Sequence, residues 1–454
     1  MWIETCNKAA RFTLSLSMTD FDSKKFIRKA VYDSGPGDCI LLESQSRDHP
    51  SSVISLLAAH PVRTLRSKGG KLIWEEKGKE HRFHGNPWQA LREFRKECKA
   101  PIFGYLGYDL KNFSVKPPLA SDNPELIEAS EMYFMEPGTL VHFNEFGISS
   151  SHGQSVSDYL KEKGIEPEIA QAPGLEPGIT VDEYIRNVEE IKRRIHEGDF
   201  YELNYSYPFT STFSGDPLDL YERMRAINPV PFGAFIRCED LHVCCSSPER
   251  YLKKAGNEIV SEPIKGTAAR HRDPAADTLQ KESLLNEKNR AENLMIVDLV
   301  RHDLSQIAKT GSVEVSRLYD IQSFGTVHQL ISTVRAEADD GADPVDILEA
   351  CFPMGSMTGA PKIAVMKAIE ELEVYKRGIY SGAIGYIDQE GDFDFNVVIR
   401  TAVIRKGRLV YPVGGAITGD SDPLDEWKET LIKARVLTEA LSKRGAARNE
   451  VESK

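Results

Sequence analysis

The spacing of apolar and polar residues changes period several times along the chain, and these changes outline its elements. Stretches that alternate at every second residue, "DCILLES" (38–44), "KLIWEE" (71–76) and "GTLVHFN" (138–144), are separated by Gly, Pro and Asn. This is the pattern of half-buried strands, and it predicts a strand-rich, antiparallel region at the amino-terminal side. Further strands are predicted over 201–213, 232–237, 241–246, 379–387, 393–404 and 408–413, and in the run from Glu258 to Ile264. Four segments carry the longer helical repeat instead. "TVDEYIRNVEEIKRRIHEG" opens with Thr180 three residues before Glu183, a capping box, and closes at Gly198. "KESLLNEKNRAENLMIVDLVRHDLSQIA" reads as a long helix from about 281 with a break near 300. "TGAPKIAVMKAIEELE" is predicted to start at a Thr358 cap with Pro361 in its first turn. "DPLDEWKETLIKARVLTEAL" places Trp427, Leu431, Ala434 and Leu441 along one apolar stripe.

The clearest break in composition is "KGIEPEIAQAPGLEPGIT" (163–180), where three prolines sit among glycines and little is apolar. It reads as a linker. The resulting division is a strand-rich part over 1–165, a linker over 166–180, a main part over 181–442 and a frayed tail over 443–454. After the linker, helices and strands mix without regular strand-helix-strand alternation, which predicts α+β over a doubly wound parallel sheet.

With 41% hydrophobic and 28% charged residues the 454-residue chain has the composition of a soluble globular protein. The formal charge of −12 and the lack of a long basic cluster argue against nucleic acid and membrane surfaces as partners. An anionic ligand would need positive charge supplied locally. No run of about 18 apolar residues occurs, and the start "MWIETCNKAARFTLSLSM" has no signal-peptide pattern, so a cytoplasmic location is expected. The seven cysteines (6, 39, 98, 238, 244, 245, 351) lack metal-type spacing and are expected to be reduced. The adjacent pair in "LHVCCSS" looks like strand interior.

Several residues are candidates for chemistry, each with a plainer reading beside it. Glu292 shares a helix face with Asn289, Met295, Ile296 and Leu299, so it is either buried with a partner or bound to a metal. Glu426, Glu429 and Lys433 stand at i, i+3 and i+7; Glu429 and Lys433 alone would make a solvated pair of about 0.3 to 0.5 kcal/mol. Carboxylates from two helices meeting at one cation would suit Mg²⁺. "PMGSMTGAPK" (353–362) is not a P-loop, because Pro361 precedes its lysine, but it can feed amides to a carboxylate or simply cap a helix. "VGGAITGDSDP" (413–423) lets backbone approach a ligand closely. Arg400 interrupts an apolar strand and needs an anion, from inside the protein or outside it. His328 reads as a ligand-facing or a satisfied core histidine, and Glu249 as a functional acid or a partner of Arg250.

In order along the chain, "SPERYL", "PIKGT", "RAENLMIVDLVRHDL", "PMGSMTGAPK", "YSGAIGY", "VVIRTAV", "VGGAI" and "DEWKETLIKA" resemble the chorismate-utilising enzymes. That family includes anthranilate synthase component I, aminodeoxychorismate synthase component I, isochorismate synthase and salicylate synthase. The resemblance covers about 181–442, with a looser likeness in "ILLES" and "FGYLGYDL" of the first part. It implies an α+β fold of two large antiparallel β-sheets packed as a sandwich with helices outside, as in anthranilate synthase component I, with 181–442 the chorismate-binding catalytic part. It further implies Mg²⁺ held by Glu292 and Glu429 with Glu426 acting through water. Thr358, Gly359, Tyr380, Arg400, Gly414, Gly415 and Lys433 resemble the groups that hold chorismate, His328 the histidine facing the ring, and Glu249 the acid that protonates the departing 4-hydroxyl.

Lys265 of "PIKGT" distinguishes among members. Anthranilate-forming relatives usually have alanine there, whereas the aminodeoxychorismate-forming ones have a lysine that attacks the substrate. The resemblance therefore implies amination of chorismate to 4-amino-4-deoxychorismate through a covalent lysine adduct, in p-aminobenzoate and folate synthesis; anthranilate formation is the alternative. An amine nucleophile must be neutral, and burial beside Ile264 is expected to depress the lysine pKa. Glu249 must start protonated, so its pKa should be raised. Glu202 stands where water-using members have a lysine base and amine-forming ones more often glutamine. Asn289, Met354, Ala416 and the "RHDL" wording depart from the family pattern without removing an assigned group. "ILLES" resembles a tryptophan-binding strand of feedback-regulated members, or is plain core. No glutamine amidotransferase signature occurs, so ammonia is expected from solution or from a separate glutaminase subunit.

Overall fold

The computed structural model describes residues 27–28, 31–32, 37–45, 55–144, 147–152, 168–324 and 327–442. The amino-terminal stretch with Cys6 and the tail 443–454 lie outside the described residues.

Strand alternation organises the core. In Cys39–Glu43, Phe232–Cys238, Leu241–Ser247 and Thr401–Arg405, Ile40, Ala234, Ile236, Val243, Cys245 and Val403 point into one inner core. Their sequence neighbours Leu41, Phe235, Cys244 and Ala402 point the other way, under helices Val181–Glu197, Pro217–Ile227, Lys362–Leu372 and Pro423–Leu441. From the opposite layer Phe103, Tyr105, Tyr133, Met135 and Ile384 enter the same inner core. Ile102, Leu106, Met132, Phe134 and Ala383 face outward to helices Pro87–Glu97, Glu287–Ser305 and Pro344–Cys351. The expected sandwich with outer helices is thus present. Its two layers belong to one antiparallel network, of 21 strands among the described residues. The long strands Ser55–Lys68 and Met132–Asn144 pair with each other and pass from one layer to the other: Leu57 and Val141 join the first helix-covered core, Leu65 and Phe134 the second.

The first part of the chain is woven into the rest. Cys39–Glu43 pairs with Phe232–Cys238, and Ile102–Leu106 with Ala383–Ile387. The described part of the expected linker lies against the sheet: Gln171 bridges to Ser214, and Glu176–Pro177 pairs with Glu202–Thr212.

Local differences from the expected elements have identifiable causes. The Thr180–Glu183 capping box and the left-handed Gly198 are present. The long helix breaks at 284–286, not near 300, because the Asn286 side chain accepts from Asn289 N and starts a new helix. The next helix begins at Lys362 and not at Thr358, since Gly359–Ala360 pair with Glu202 and Leu203 instead. The predicted strand 393–404 is two, Phe393–Val397 and Thr401–Arg405, which lie in different layers and are separated by Arg400 at φ 51. In Pro423–Leu441 the buried stripe is Glu426, Thr430, Ala434, Leu437 and Ala440, while Leu431 is exposed. All six described cysteines are free. No helix among the described residues is long and apolar enough to cross a membrane.

Candidate active site

The strand Glu202–Thr212, paired to Arg408–Ile417, is one wall of the site. Leu203 and Tyr205 enter the helix-covered core, which turns Glu202 and Asn204 to the opposite face. Against this strand lies the loop that ends in Thr358 and Gly359. Gly359 has φ 142, and a Cβ there would lie 2.0 Å from Glu202 O, so this approach requires glycine. A buried arginine fixes both elements: Arg377 donates to Met357 O (2.6 Å), to Asn204 O (2.7 Å) and to the Glu373 carboxylate (2.6 and 2.9 Å). Lys362, just after the loop, donates to Asp303 of "RHDL" at 2.6 Å, whereas His302 beside it is exposed.

Lys265 lies on Ile264–Ala269, which pairs with Val327–Glu337 through a register shift between Ile264 and Thr267. Such a bulge re-aims side chains. The Lys265 side chain is 12% exposed, and Nζ donates to Glu202 Oε1 at 2.8 Å. Burial alone would lower the lysine pKa, but the negative charges of Glu202, Glu292 and Glu249 outweigh it, and the pKa lies above the ordinary value. The expected depression by burial is therefore overturned: in this state Lys265 is an ammonium held by a carboxylate.

Glu249 is buried, and burial pushes its pKa up to about 7, against the opposing effects of a Ser356 hydrogen bond and the charges of Lys265, Arg400 and Lys433. It is protonated over the acidic half of the physiological range, as a general acid requires. Behind it a small cavity of about 20 Å³, room for roughly one water, is lined by Ser261, Asp303, Cys351, Met354 and Ser356 among others. Arg400 has no ion pair or side-chain hydrogen bond to any described residue, and burial lowers its pKa. Its left-handed φ of 51 is a backbone strain of order 1 kcal/mol. Tyr380 is 3% exposed, and its hydroxyl makes no hydrogen bond to a described residue.

The glycine strand and the last helix converge nearby. A Cβ on Gly415 would lie 3.5 Å from Glu426 Oε2 and 3.7 Å from Lys433 Nζ. Lys433 Nζ donates to Gly414 O at 2.8 Å and pairs with Glu429 at 2.8 Å, which holds the Glu429 pKa below the ordinary value. Glu426 Oε1 accepts from Ser421 (2.8 Å) and from Lys288 (3.0 Å), whose Nζ is also 3.9 Å from Glu292 Oε1. Burial raises the Glu292 pKa, and its Oε1 is buried without a hydrogen-bond partner among the described residues. No set of three or more His, Cys, Asp or Glu arranged to hold a metal occurs among the described residues. Mg²⁺ needs only one or two protein carboxylates. The orphaned Glu292 oxygen, with Lys288 standing as a positive charge between it and Glu426, fits such a cation.

Two of the expected residues have their polar groups engaged within the protein. His328 is 2% exposed, with Nε2 at 3.0 Å from Asp277 Oδ1 and Nδ1 at 2.8 Å from Ser323 Oγ. Both ring nitrogens are occupied, so only the ring face is left to present to a ligand. Thr358 is fully buried and its hydroxyl donates to Met354 O at 3.1 Å. Asn289 ties its helix Glu287–Ser305 to its neighbours, donating to Leu284 O and lying 3.1 Å from a Cβ on Gly266. Sequence reasoning missed Lys288, Asp303 with Lys362, and Glu373 with Arg377. Lys288 and Arg377 each had a local signal, an opposite charge four residues away, but that spacing gives no hint of burial.

A family model described as chorismate binding enzyme matches residues 37–439. The chain is 31% identical over 423 residues to aminodeoxychorismate synthase component 1 of Escherichia coli (strain K12), covering 89% of this chain and 93% of that protein. It is 44% identical over 265 residues to a probable chloroplastic aminodeoxychorismate synthase of Oryza sativa subsp. japonica, 57% of this chain but only 30% of that much longer protein. With anthranilate synthase component 1 of Aquifex aeolicus (strain VF5) the identity is 35% over 370 residues, 75% of this chain and 74% of that one. The crystal structure of anthranilate synthase component I from Streptococcus pneumoniae TIGR4 superimposes with a TM-score of 0.73 at 26% identity, over 86% of this chain and 93% of that chain.

Proposed function

The chain belongs to the chorismate-binding enzymes, and from that premise we propose that it aminates chorismate with an ammonia-derived nitrogen to give 4-amino-4-deoxychorismate. The observation that carries this reading is Lys265: its ammonium is turned inward, paired with Glu202 and facing Glu249. The component 1 relatives support the same reaction.

In the proposed path the chorismate carboxylates meet Arg400, Lys433 and the amides near Gly414 and Gly415. Mg²⁺, held by Glu292 and Glu429 with Glu426 nearby, would neutralise carboxylate charge when bound. Lys265 passes a proton to Glu202 Oε1, 2.8 Å away, and its nitrogen adds at C2 while the ring double bonds shift. The C4–O bond breaks as Glu249 gives its proton to the departing hydroxyl, which leaves as water. Ammonia then adds at C4, the C2–N bond breaks, the new C4 ammonium returns a proton to Glu249, and Lys265 recovers its proton from Glu202. A separate glutaminase subunit as nitrogen source accords with the component 1 naming of relatives. A second enzyme would be required to eliminate pyruvate from the product.

Anthranilate formation is the second reading, favoured by the Aquifex relative. Purified protein given chorismate, Mg²⁺ and ammonium separates the two. Aminodeoxychorismate that becomes p-aminobenzoate only after a lyase is added is the expected result; anthranilate appearing without a lyase would replace the proposal.

A further inference from the structure

The small cavity behind Glu249 and the buried ion pair on its wall have no part in the path above. Asp303, in Glu287–Ser305, is 5% exposed; burial pushes its pKa up, and the charge of Lys362 opposes that. Lys362 Nζ donates to Asp303 Oδ2 at 2.6 Å and to Cys351 O at 3.3 Å. Asp303 Oδ1 has no hydrogen bond to a described residue. Asp303 and Glu249 line the same cavity of about 20 Å³, and so does Ser356, which hydrogen-bonds Glu249. One water fills such a volume and brings two carboxyl groups within proton-transfer reach of each other.

The charges around Glu249 divide into two sides. Lys265 from Ile264–Ala269, Arg400 and Lys433 from Pro423–Leu441 act on it from the substrate side, and none of them lines the cavity. On the cavity side, Arg250 is engaged by Asp394 and Glu262, while burial keeps the Cys351 thiol and the Tyr251 hydroxyl neutral. Asp303 is therefore the one acid among the described cavity residues, apart from Glu249 itself, that is placed to exchange a proton. It also stands near solvent: His302 beside it is exposed, and the Lys362 side chain is 15% exposed.

Resting on the amination reading, we propose that Asp303 is a positioning residue for the general acid, holding one water in this cavity and passing protons through it to Glu249 while substrate covers the other side. The transfer balances in atoms and charge. A solvent proton lands on the Asp303 carboxylate. Protonated Asp303 then gives that proton to the water as the water gives one of its own to the Glu249 carboxylate. Asp303 is left ionised beside Lys362, the water is unchanged, and Glu249 is protonated. The route has a use because Glu249 titrates at about 7, so at neutral pH about half of the molecules meet chorismate with the acid ionised. Chorismate seated on Arg400 and Lys433 closes the front of Glu249. Without a rear route, those complexes stay idle until chorismate leaves.

The test is the order of mixing. Protein is incubated with chorismate and Mg²⁺ at about pH 8.5, where Glu249 is mostly ionised, then stepped to about pH 6.5 with ammonium while product is followed. Wild type should start without a lag. Asp303→Asn should show a lag set by chorismate dissociation, at least about tenfold longer than the mixing time, and should lose it when the incubation is at about pH 6.5. Cys351→Val, which crowds the water while leaving the Asp303–Lys362 pair in place, should show the same lag, and Asp303→Glu should remove it. Steady-state kcat at about pH 6.5 should stay within about threefold of wild type in all three. A merely structural role would lower kcat without making the start depend on the pH of incubation. D303N and C351V proteins that start as promptly as wild type after the alkaline incubation, or that lag equally after both incubations, would overturn the relay. Anthranilate formed with the predicted mixing behaviour would replace the amination reading and leave the relay standing.

Discussion

Replacing Lys265 with alanine removes a proposed nucleophile and, at the same time, the only cation among the described residues paired with the buried Glu202 carboxylate. The two effects can be separated. At 2.8 Å and an effective dielectric constant near 20, the pair attracts by about 6 kcal/mol, most of which offsets the desolvation of both groups. Breaking one side of a buried pair costs about 3 to 5 kcal/mol, and the 12% exposure of Lys265 places this case near 3. Adding Glu202→Gln removes the stranded charge and should restore about 2 kcal/mol of that loss. Stability should therefore run wild type, then K265A/E202Q, then K265A, in denaturant unfolding followed by fluorescence. Activity should run differently: both variants lose at least about 10³-fold in kcat, because restoring the fold does not restore a nucleophile. The linkage has a definite sign. A lysine with a raised folded pKa contributes stability that is complete below its unfolded value, near 10.4, and lost as pH rises through the folded one. The alkaline loss of stability should thus be smaller in K265A/E202Q. A double variant that is well folded and aminates chorismate within tenfold of wild type would refute the nucleophilic role.

Glu249→Gln should lower kcat about 10² to 10⁴-fold, and wild-type kcat should fall as pH rises past about 7, where the acid loses its proton. Because the folded pKa is raised, burying Glu249 costs nothing below about pH 4.3 and progressively more as pH climbs to about 7, so E249Q should gain on the order of 3 kcal/mol relative to wild type at pH 8 but not at pH 4. Arg400→Met should raise chorismate KM by about ten- to a hundredfold while leaving ligand-free stability unchanged or improved, since no internal partner is lost; clear destabilisation would mean an internal anion had been holding it. Glu292→Gln should abolish Mg²⁺ binding measured by calorimetry without substrate. Lys288→Met, which removes the ammonium 3.0 Å from Glu426, should tighten it about three- to tenfold. Weaker binding in K288M would show that Lys288 orients Glu426 for the metal and does not compete with it.

The chain's own pattern was enough to mark its strands and helices, the Thr180 capping box, the end at Gly198 and, through ordered motifs, the family. These depend on neighbours in sequence or on residue types without which the motif is lost. Boundaries were misplaced where a long-range partner intervened. Thr358 looks like a cap but its hydroxyl serves its own loop, and the helix waits for Lys362 because Gly359 is claimed by the Glu202 strand. Arg400 looks like an interruption within one strand, yet it is the turn between two layers.

What only the tertiary structure decided is charge. A run of sequence shows that Lys265 is next to Ile264, which suggests a depressed pKa; it cannot show that Glu202, sixty-three residues away, ends 2.8 Å from its nitrogen and reverses the shift. Likewise Arg400 and the Glu429–Lys433 pair look equally polar on paper, but folding leaves the first without an ion pair among the described residues and gives the second one another. The physical reason is that local propensity and burial periodicity are short-range, whereas the energy of a buried ion depends on whichever groups the fold brings within a few ångströms.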